Sequence, residues 1–581
     1  MPHPITSIAH RLADHAQTRA EAHAITELGR DGLPVRSLDF ETLWRRVNGL
    51  ASVLLDADAG GRPVLIPEFN GIDYVVAYLA CLRAGAIAVT AHAPRVNDRS
   101  GRLEAIILDS KPVRALASGS TIDHCIKHGG PILQKQTFIA TDDPAFDSVQ
   151  VGGIPDVPPD SIAMFQYTSG STSQPRAVRV SHGNLIANVE AMSSLFVHEE
   201  SGGTVCWLPL FHDMGLIGVV MTSLMSGLTT HLMKPEEFVM RPLRWLRAIS
   251  MTRSAHSCAP NFAYGLCVER TTEEDRAALD LSSWKIALNG AETIHPDTIE
   301  RFTEAFRSSG FDPGAMRACY GLAESTLLVT GRLSGTGTGI RRIDAEALTR
   351  NRLIRCEDGH TEGTVRVTAC GPVIPGHDLR VLDQCGVLSD GEGIVGEICV
   401  RGPSVAQGYL QDHEDDEDAF PARLDDQPGP WLRTGDLGGL VDGELVIAGR
   451  LKDLIIVGGS NHHPHDLERT AEQAHPDVAN GGCAAFAVTG EAAHGSEQVV
   501  VLVELSRERM RSLRRNPDET GPLTEELTSR VRAAISSVHS VALHACLVVN
   551  SGAIPRTTSG KVQRRSAAEA WKRGELPLLV P

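Results

Sequence analysis

The stretch Tyr167-Thr168-Ser169-Gly170-Ser171-Thr172-Ser173-Gln174-Pro175-Arg176-Ala177-Val178 carries the aliphatic hydroxyls of Thr168, Ser169, Ser171, Thr172 and Ser173. It also holds Gly170 and Pro175, which favour turns over a helix interior. An apolar run at 162–165 precedes it. A helical pattern follows, with Ser181 as its cap and Leu185, Val189, Met192 and Phe196 on its apolar face. A strand, a loop of small hydroxylated residues and returning structure can wrap phosphate oxygens in backbone N–H groups and hydroxyls. Alone, such a stretch is more often just a loop. Further chemically capable groups stand far away in sequence: Asn289-Gly290-Ala291-Glu292, Tyr320-Gly321-Leu322-Ala323-Glu324-Ser325-Thr326, Thr434-Gly435-Asp436, Gly449-Arg450-Leu451-Lys452-Asp453 and Ile554-Pro555-Arg556-Thr557-Thr558-Ser559-Gly560-Lys561. Each has a plain alternative: a surface ion pair for Asp436 and Arg450, a solvated lysine for Lys561, a helix-surface acid for Glu324. The cluster His462, His463, His465 has the composition of a metal site.

The elements that must hold these groups alternate. Residues 1–60 read as helical, with Phe40, Leu43, Val47, Leu50 and Leu54 at helical spacing and Gly60-Gly61 as the stop. Strand-like runs at 63–66, 86–90, 115–117 and 137–141 alternate with helical patterns at 73–84 and 102–109, and the alternation continues through 204–258. This is the pattern of parallel-sheet α/β layers. After residue 330 the texture changes. A polar stretch at 335–363 opens with Gly335-Thr336-Gly337-Thr338-Gly339 and reads as a flexible or inserted loop, not a dinucleotide fingerprint. Short β-like segments over 365–450 predict a small β-rich subdomain, with an acidic surface loop at 412–418. Helices at 464–473 and 525–537 and strands at 498–505 and 543–549 predict an α+β C-terminal domain over 451–581, with its boundary at 450–453. The expected fold class is therefore α/β: a large N-terminal region, 1–450, of two α/β subdomains plus the β-rich one, followed by a mobile α+β domain.

Composition narrows the function. The 581 residues carry a net charge of -17, which argues against nucleic acid as the main partner because phosphate contacts need clustered Lys and Arg. The twelve cysteines contain no C-x-x-C pair, and the start shows no basic-then-apolar signal pattern, so a cytoplasmic protein with reduced thiols is expected. The longest apolar segments, near 75–89 and 216–233, are broken by Arg83 or by Ser, Thr and Gly and read as buried core, not membrane spans. P-loop, zinc-protease and serine-hydrolase motifs are missing.

In set and order, the motifs resemble the acyl-adenylate-forming superfamily of acyl-CoA synthetases, adenylation domains and luciferases. Within it the chain is most similar to the fatty acyl-AMP ligases, through Leu208-Pro209-Leu210-Phe211-His212-Asp213-Met214-Gly215-Leu216, Ala259-Pro260-Asn261-Phe262-Ala263-Tyr264 and Asn461-His462-His463-Pro464-His465-Asp466-Leu467-Glu468. The resemblance implies ATP-dependent activation of a fatty or other apolar carboxylic acid to an acyl-adenylate, with release of pyrophosphate. The acyl group then passes to an acyl carrier protein or a separate acyltransferring enzyme. It implies ATP and Mg²⁺ as cofactors. Thr168, Ser169, Gly170, Ser171 and Thr172 would hold the outer phosphates, with Arg176 adding a cation, and Glu324 would offer an oxygen to Mg²⁺. Gly290, Ala291 and Tyr320 would border the adenine, Asn289, Glu292 and Gly321 would belong to the same ATP site, and Asp436 and Arg450 would take the ribose. His212 would line the carboxylate site. An acyl pocket would be bounded by His212, Met214, Ser257, Ala259, Phe262 and Asn289. Lys561 would reach across to the forming acyl-phosphate, and Lys452 would be the hinge. The histidine cluster then reads as a structural loop after that hinge. The stretch at 335–363 falls where these ligases carry an insertion thought to hinder a CoA-using half-reaction.

The first motif departs from the superfamily at Ser173, Arg176 and Ala177, where Gly, Lys and Gly are usual, so ATP affinity is the quantity these positions put in play. Two rival functions follow from the same motifs: a complete acyl-CoA synthetase, and a non-catalytic nucleotide- or acyl-binding protein of the same fold.

Overall fold

The computed structural model describes residues 7–579 except 95, 97–100, 149–156, 169–174, 196–201, 333–336, 358, 412–415, 421–422, 425–426, 430, 458–459, 490–496 and 558–559. At its centre lies the helix Ile72–Ala84, buried at every position but Asp73. A helix that is apolar all round has no face to give to water, so it sits between layers. It touches strands of two sheets. One has six strands in the order Phe138–Ala140, Arg114–Ala117, Pro63–Glu68, Ile87–His92, Ile162–Thr168, Arg176–Ser181. The other has eight: Leu328–Gly331, Met316–Gly321, Ile286–Gly290, His256–Pro260, Thr204–Cys206, Thr230–Leu232, His23–Leu28, Pro34–Asp39. Each sheet is parallel inside, with antiparallel pairing only at the edges. Parallel strands present their carboxyl ends on one side, where ligands of such sheets bind. No helix among the described residues is long and apolar enough to cross a membrane.

A third sheet, of seven antiparallel strands, spans Gly339 to Arg450 and pairs Asp436 with Arg450 in the hairpin of Leu432–Val441 and Glu444–Arg450. From Ile455 onward the chain closes two apolar cores of its own around the sheet Val478–Thr489, Glu497–Leu505, Leu543–Val549. The helices Pro464–Gln473 and Thr520–His539 cover that sheet near the predicted positions.

Two expectations need correction. The N-terminal 60 residues are not all helical: between the helices Ile8–Thr18 and Phe40–Asp56 lies the hairpin His23–Leu28/Pro34–Asp39. Its turn is made by Asp31, whose Oδ1 accepts the Leu33 N–H at 3.0 Å, and by Gly32 at φ 84°. The stretch at 335–363 is not only loop. Gly339–Asp344 is an edge strand on Thr364–Ala369, and Ala345–Thr349 is a short helix capped by Asp344. Charge hides this strand in the sequence: Arg341 donates to Glu444 at 2.9 Å, and Arg332 donates to the same carboxylate at 2.6 Å. The predicted cap at Ser181 is present, since Ser181 Oγ accepts the Asn184 N–H at 3.1 Å at the start of the helix His182–Leu195; Phe196 lies outside the described residues.

Candidate active site

The strands Ile286–Gly290 and Met316–Gly321 end side by side, and their last residues meet the hairpin of the seven-stranded sheet. Tyr320 donates its hydroxyl to Asp436 Oδ2 at 2.7 Å, and Arg450 Nε donates to Asp436 Oδ1 at 2.8 Å. The cross-strand pairing of 436 with 450 fixes this second contact. Gly290, Ala291, Tyr320, Gly321 and Arg450 all line a cavity of about 260 Å³. Glu292 turns away from it and accepts the Phe262 N–H at 2.6 Å; burial raises its carboxyl above the usual glutamate value, against the pull of Lys561.

Facing this wall is the turn that opens the buried helical run Met214–Met221. That run is a π-helix, a form that recurs at functional sites. His212 Nδ1 lies 2.6 Å from Asp213 Oδ1, which also accepts the Met214 N–H at 2.7 Å. Burial opposes ionisation of Asp213, yet His212, Lys561 and the Met214 N–H together hold its carboxyl below the usual aspartate value. Gln166 secures the turn by donating to Phe211 O at 3.0 Å. Lys561 enters the same cavity from the C-terminal domain, on a tight loop in which its N–H donates to Thr557 Oγ1 at 3.0 Å. Burial, then the Arg450 cation, lower its ammonium from the usual lysine value, while Asp213, Glu292 and Asp436 pull the other way. The lysine thus stands among acids from three separate segments. Beyond the loop, Arg564 donates to both Glu468 oxygens at 2.7 Å and to Asp453 at 3.1 Å, which ties the lysine's loop to the turn Leu451–Asp453. Lys452 lies exposed on that turn.

Glu324 lines the cavity and accepts the Tyr409 hydroxyl at 2.7 Å through Oε1. Arg176 is not in the cavity wall: its guanidinium stacks on the Tyr409 ring, 3.8 Å from the centroid. It therefore braces the tyrosine that holds Glu324. Thr168 lines the cavity, and Arg102 beside it donates to Thr168 O at 3.4 Å. Ser169, Gly170, Ser171, Thr172 and Ser173 lie outside the described residues. Arg102, Asp213 and Gln166 were missed as site residues, and only Asp213, within the Phe-His-Asp-Met-Gly motif, carried a sequence signal.

Beside these charged groups the cavity has an apolar part, the candidate acyl tunnel, lined by Met192, Met214, Cys258, Ile286, Leu288 and Leu328. His212 and Met214 belong to its wall as expected, but Ser257, Ala259, Phe262 and Asn289 do not. The cause is the two-residue period of a strand. Cys258, Ile286 and Leu288 face the tunnel, so their neighbours Ser257, Ala259 and Asn289 face the opposite side. There Ser257 Oγ accepts Trp245 Nε1–H at 2.8 Å, and Asn289 donates to Asn261 at 3.3 Å. Asn289 is therefore also removed from the nucleotide wall. Phe262 sits on the following helix, Asn261–Glu269, edge-on to Trp207.

The cluster His462, His463, His465 gathers no metal-ligand set among the described residues. It packs at the seam between the two halves of the chain, where Arg469 also pairs with Asp297. Burial holds His463, His465 and the facing His295 down to about 4. Asp466, Asp297 and Glu468 favour the charged ring and Arg469 and Arg564 oppose it. A folded-state value below the ordinary histidine value near 6.5 means that the unfolded chain takes up protons first as pH falls. Thermal melts should therefore show stability constant above pH ~6.5 and declining towards pH ~4, and His465→Gln should remove about 1–2 kcal/mol of that decline.

Residues 12–410 match the family model described as AMP-binding enzyme, and residues 452–580 match one described as Disco-interacting protein 2-like, AMP domain. The medium-chain-fatty-acid–[acyl-carrier-protein] ligase of Moorena producens (strain JHB) is 35% identical over 571 residues, covering 97% of this chain and 94% of that protein. The long-chain-fatty-acid–AMP ligase of Mycobacterium marinum is 36% identical over 596 residues, with 98% of each covered. A structure from work on the fatty acyl-adenylate ligases of E. coli and L. pneumophila superposes with a TM-score of 0.84 at 30% identity, over 99% of this chain and 98% of that one. The chain belongs to the AMP-binding enzyme family. Within it this is an acyl-AMP ligase of the fatty-acid-activating branch, with the α/β adenylate-forming fold and a smaller α+β C-terminal domain.

Proposed function

We propose that the chain joins a medium-length carboxylic acid to the α-phosphate of ATP, releases pyrophosphate, and passes the acyl group to the phosphopantetheine thiol of a carrier protein. The observation that carries this reading is the convergence of Lys561, His212 and the Tyr320–Asp436–Arg450 set on the mouth of one apolar tunnel. The acid's chain fills the tunnel and its carboxylate lies at His212, which Asp213 orients. Asp436 accepts from the ribose hydroxyls, with Arg450 holding its second oxygen. Both reactants are anions, so the work is positioning and charge neutralisation. Lys561 supplies the positive charge that follows the developing phosphate negative charge. Glu324 suits Mg²⁺ borne by the nucleotide: one carboxylate oxygen is held by Tyr409, and no cage of several ligands surrounds it among the described residues. When bound, the ion would shield the phosphate oxygens.

Transfer to a carrier protein is the acceptor that the Moorena relative's name carries. What bears on CoA here is the junction between the 335–363 region and the C-terminal domain: Asn461 donates to Asn351 at 3.1 Å, a contact that rotation of that domain about the turn at Lys452 would break. The test is adenylate formation, trapped with hydroxylamine, across a panel of acids with and without CoA. Trapped hydroxamate without accumulating acyl-CoA is expected. Abundant acyl-CoA from the protein alone would establish the synthetase instead, and background pyrophosphate exchange with every acid would leave a non-catalytic binding protein.

A further inference from the structure

The tunnel of the acyl-adenylate reading, on which this inference rests, ends on a charge. Strand Met316–Gly321 runs along its wall, so the four-residue step from Gly321 at the mouth to Arg317 is about 13 Å. Arg317 lines the cavity and is 1% exposed. Its Nη1 donates to Leu195 O at 3.2 Å and its Nη2 to Lys285 O at 3.4 Å, both neutral carbonyls. Its Nε has no acceptor, and no carboxylate pairs with it, among the described residues. Arg332, another arginine of the wall, is by contrast neutralised by Glu444 at 2.6 Å. Met192, Leu195, Ile286 and Leu328 line the same cavity, where an alkyl tail alone would be served by another apolar residue in place of Arg317. Burial lowers its guanidinium to about 10, which leaves it charged at neutral pH. A guanidinium offers five N–H donors, and with two on carbonyls and Nε without an acceptor among the described residues, donors are left over for a carboxylate.

We propose that Arg317 is a specificity residue that receives the far end of the acyl chain, and that the acid is a medium-length α,ω-dicarboxylic acid activated at one end and held by Arg317 at the other. A buried cation with no carboxylate partner among the described residues is costly, and a substrate carboxylate would supply a counter-ion. The competing role is structural: Arg317 ties down the last carbonyl of the helix His182–Leu195.

Pyrophosphate release should be measured near neutral pH with matched pairs, suberate against octanoate, azelate against nonanoate and sebacate against decanoate. The wild-type chain is expected to show kcat/KM at least about tenfold higher for the diacid of the best-fitting pair, mostly through KM. Arg317→Met should reverse that order, gaining on the monoacid and losing on the diacid, and Arg317→Lys should keep part of the preference. Preference of the wild type for monoacids at every length, or an equal loss on both acids in Arg317→Met, overturns the proposal. Should Arg317→Met not fold, the wild-type order and Arg317→Lys decide. Should no acid support turnover, the acid-activation reading fails separately, and equilibrium dialysis of radiolabelled azelate and nonanoate with the wild-type chain decides the subsite: tighter azelate supports it, equal or weaker azelate ends it.

Discussion

Lys561→Ala is expected to slow acyl-adenylate formation by about two to three orders of magnitude while ATP affinity changes little, the size of effect seen when one preorganised group at a developing charge is removed. The lysine sits on a loop of the C-terminal domain, yet burial and the Arg450 cation, which lower its ammonium, and Asp213, Glu292 and Asp436, which raise it, tie its charge to the other half. It contributes only while that domain holds its present orientation. The ribose contacts proposed for Asp436 and Arg450 do not depend on it, so binding and chemistry should separate in this variant. Isotope exchange between ATP and pyrophosphate reads the chemistry, and titration with ATP reads the binding. Lys561→Arg keeps the charge but spreads it over a planar group and should restore only part of the rate. Full exchange activity in Lys561→Ala would remove the lysine from the reaction.

How far the sequence revealed this site depended on the kind of signal. Lys561, Glu324, Asp436, Arg450 and His212 stand in motifs whose order is informative, and the structure brings all five to one cavity. Asp436 is the one that reaches it through its partner Tyr320. The pocket wall was read one residue out of phase. Sequence places 257, 259 and 289 beside the site, but which face of a strand looks inward depends on what packs behind it, here Trp245 and Asn261. Arg102 and Arg317 were invisible for a related reason. Each is an arginine without a motif, and its meaning comes from burial and from neighbours far away in sequence, Thr168 for one and Leu195 for the other. The N-terminal hairpin was lost because the helical periodicity of 40–54 was extended backwards over a segment whose partner strand, Thr230–Leu232, lies some 200 residues away.

Asp436→Ala should weaken ATP binding by about one to two orders of magnitude and also destabilise the fold, because the same carboxylate serves both. It is 6% exposed and occupied on both oxygens, by Tyr320 at 2.7 Å and Arg450 at 2.8 Å. Removing it leaves a buried phenol hydroxyl without its acceptor and frees the Arg450 cation at a distance where it already depresses Lys561. That gives a signature that a simple loss of ribose contact lacks. Asp436 raises the affinity of Lys561 for its proton, so without it the ammonium is lost at lower pH, and the alkaline limb of residual adenylation activity should move down. Asp436→Asn keeps the shape, one acceptor for Tyr320 and no charge. It should recover most of the thermal stability while retaining the shifted alkaline limb. Melting curves, ATP titration and the pH profile of pyrophosphate exchange on the two variants check this. An unshifted limb in both would mean that Asp436 acts on ATP alone and that the charge of Lys561 is governed by Asp213 and Glu292.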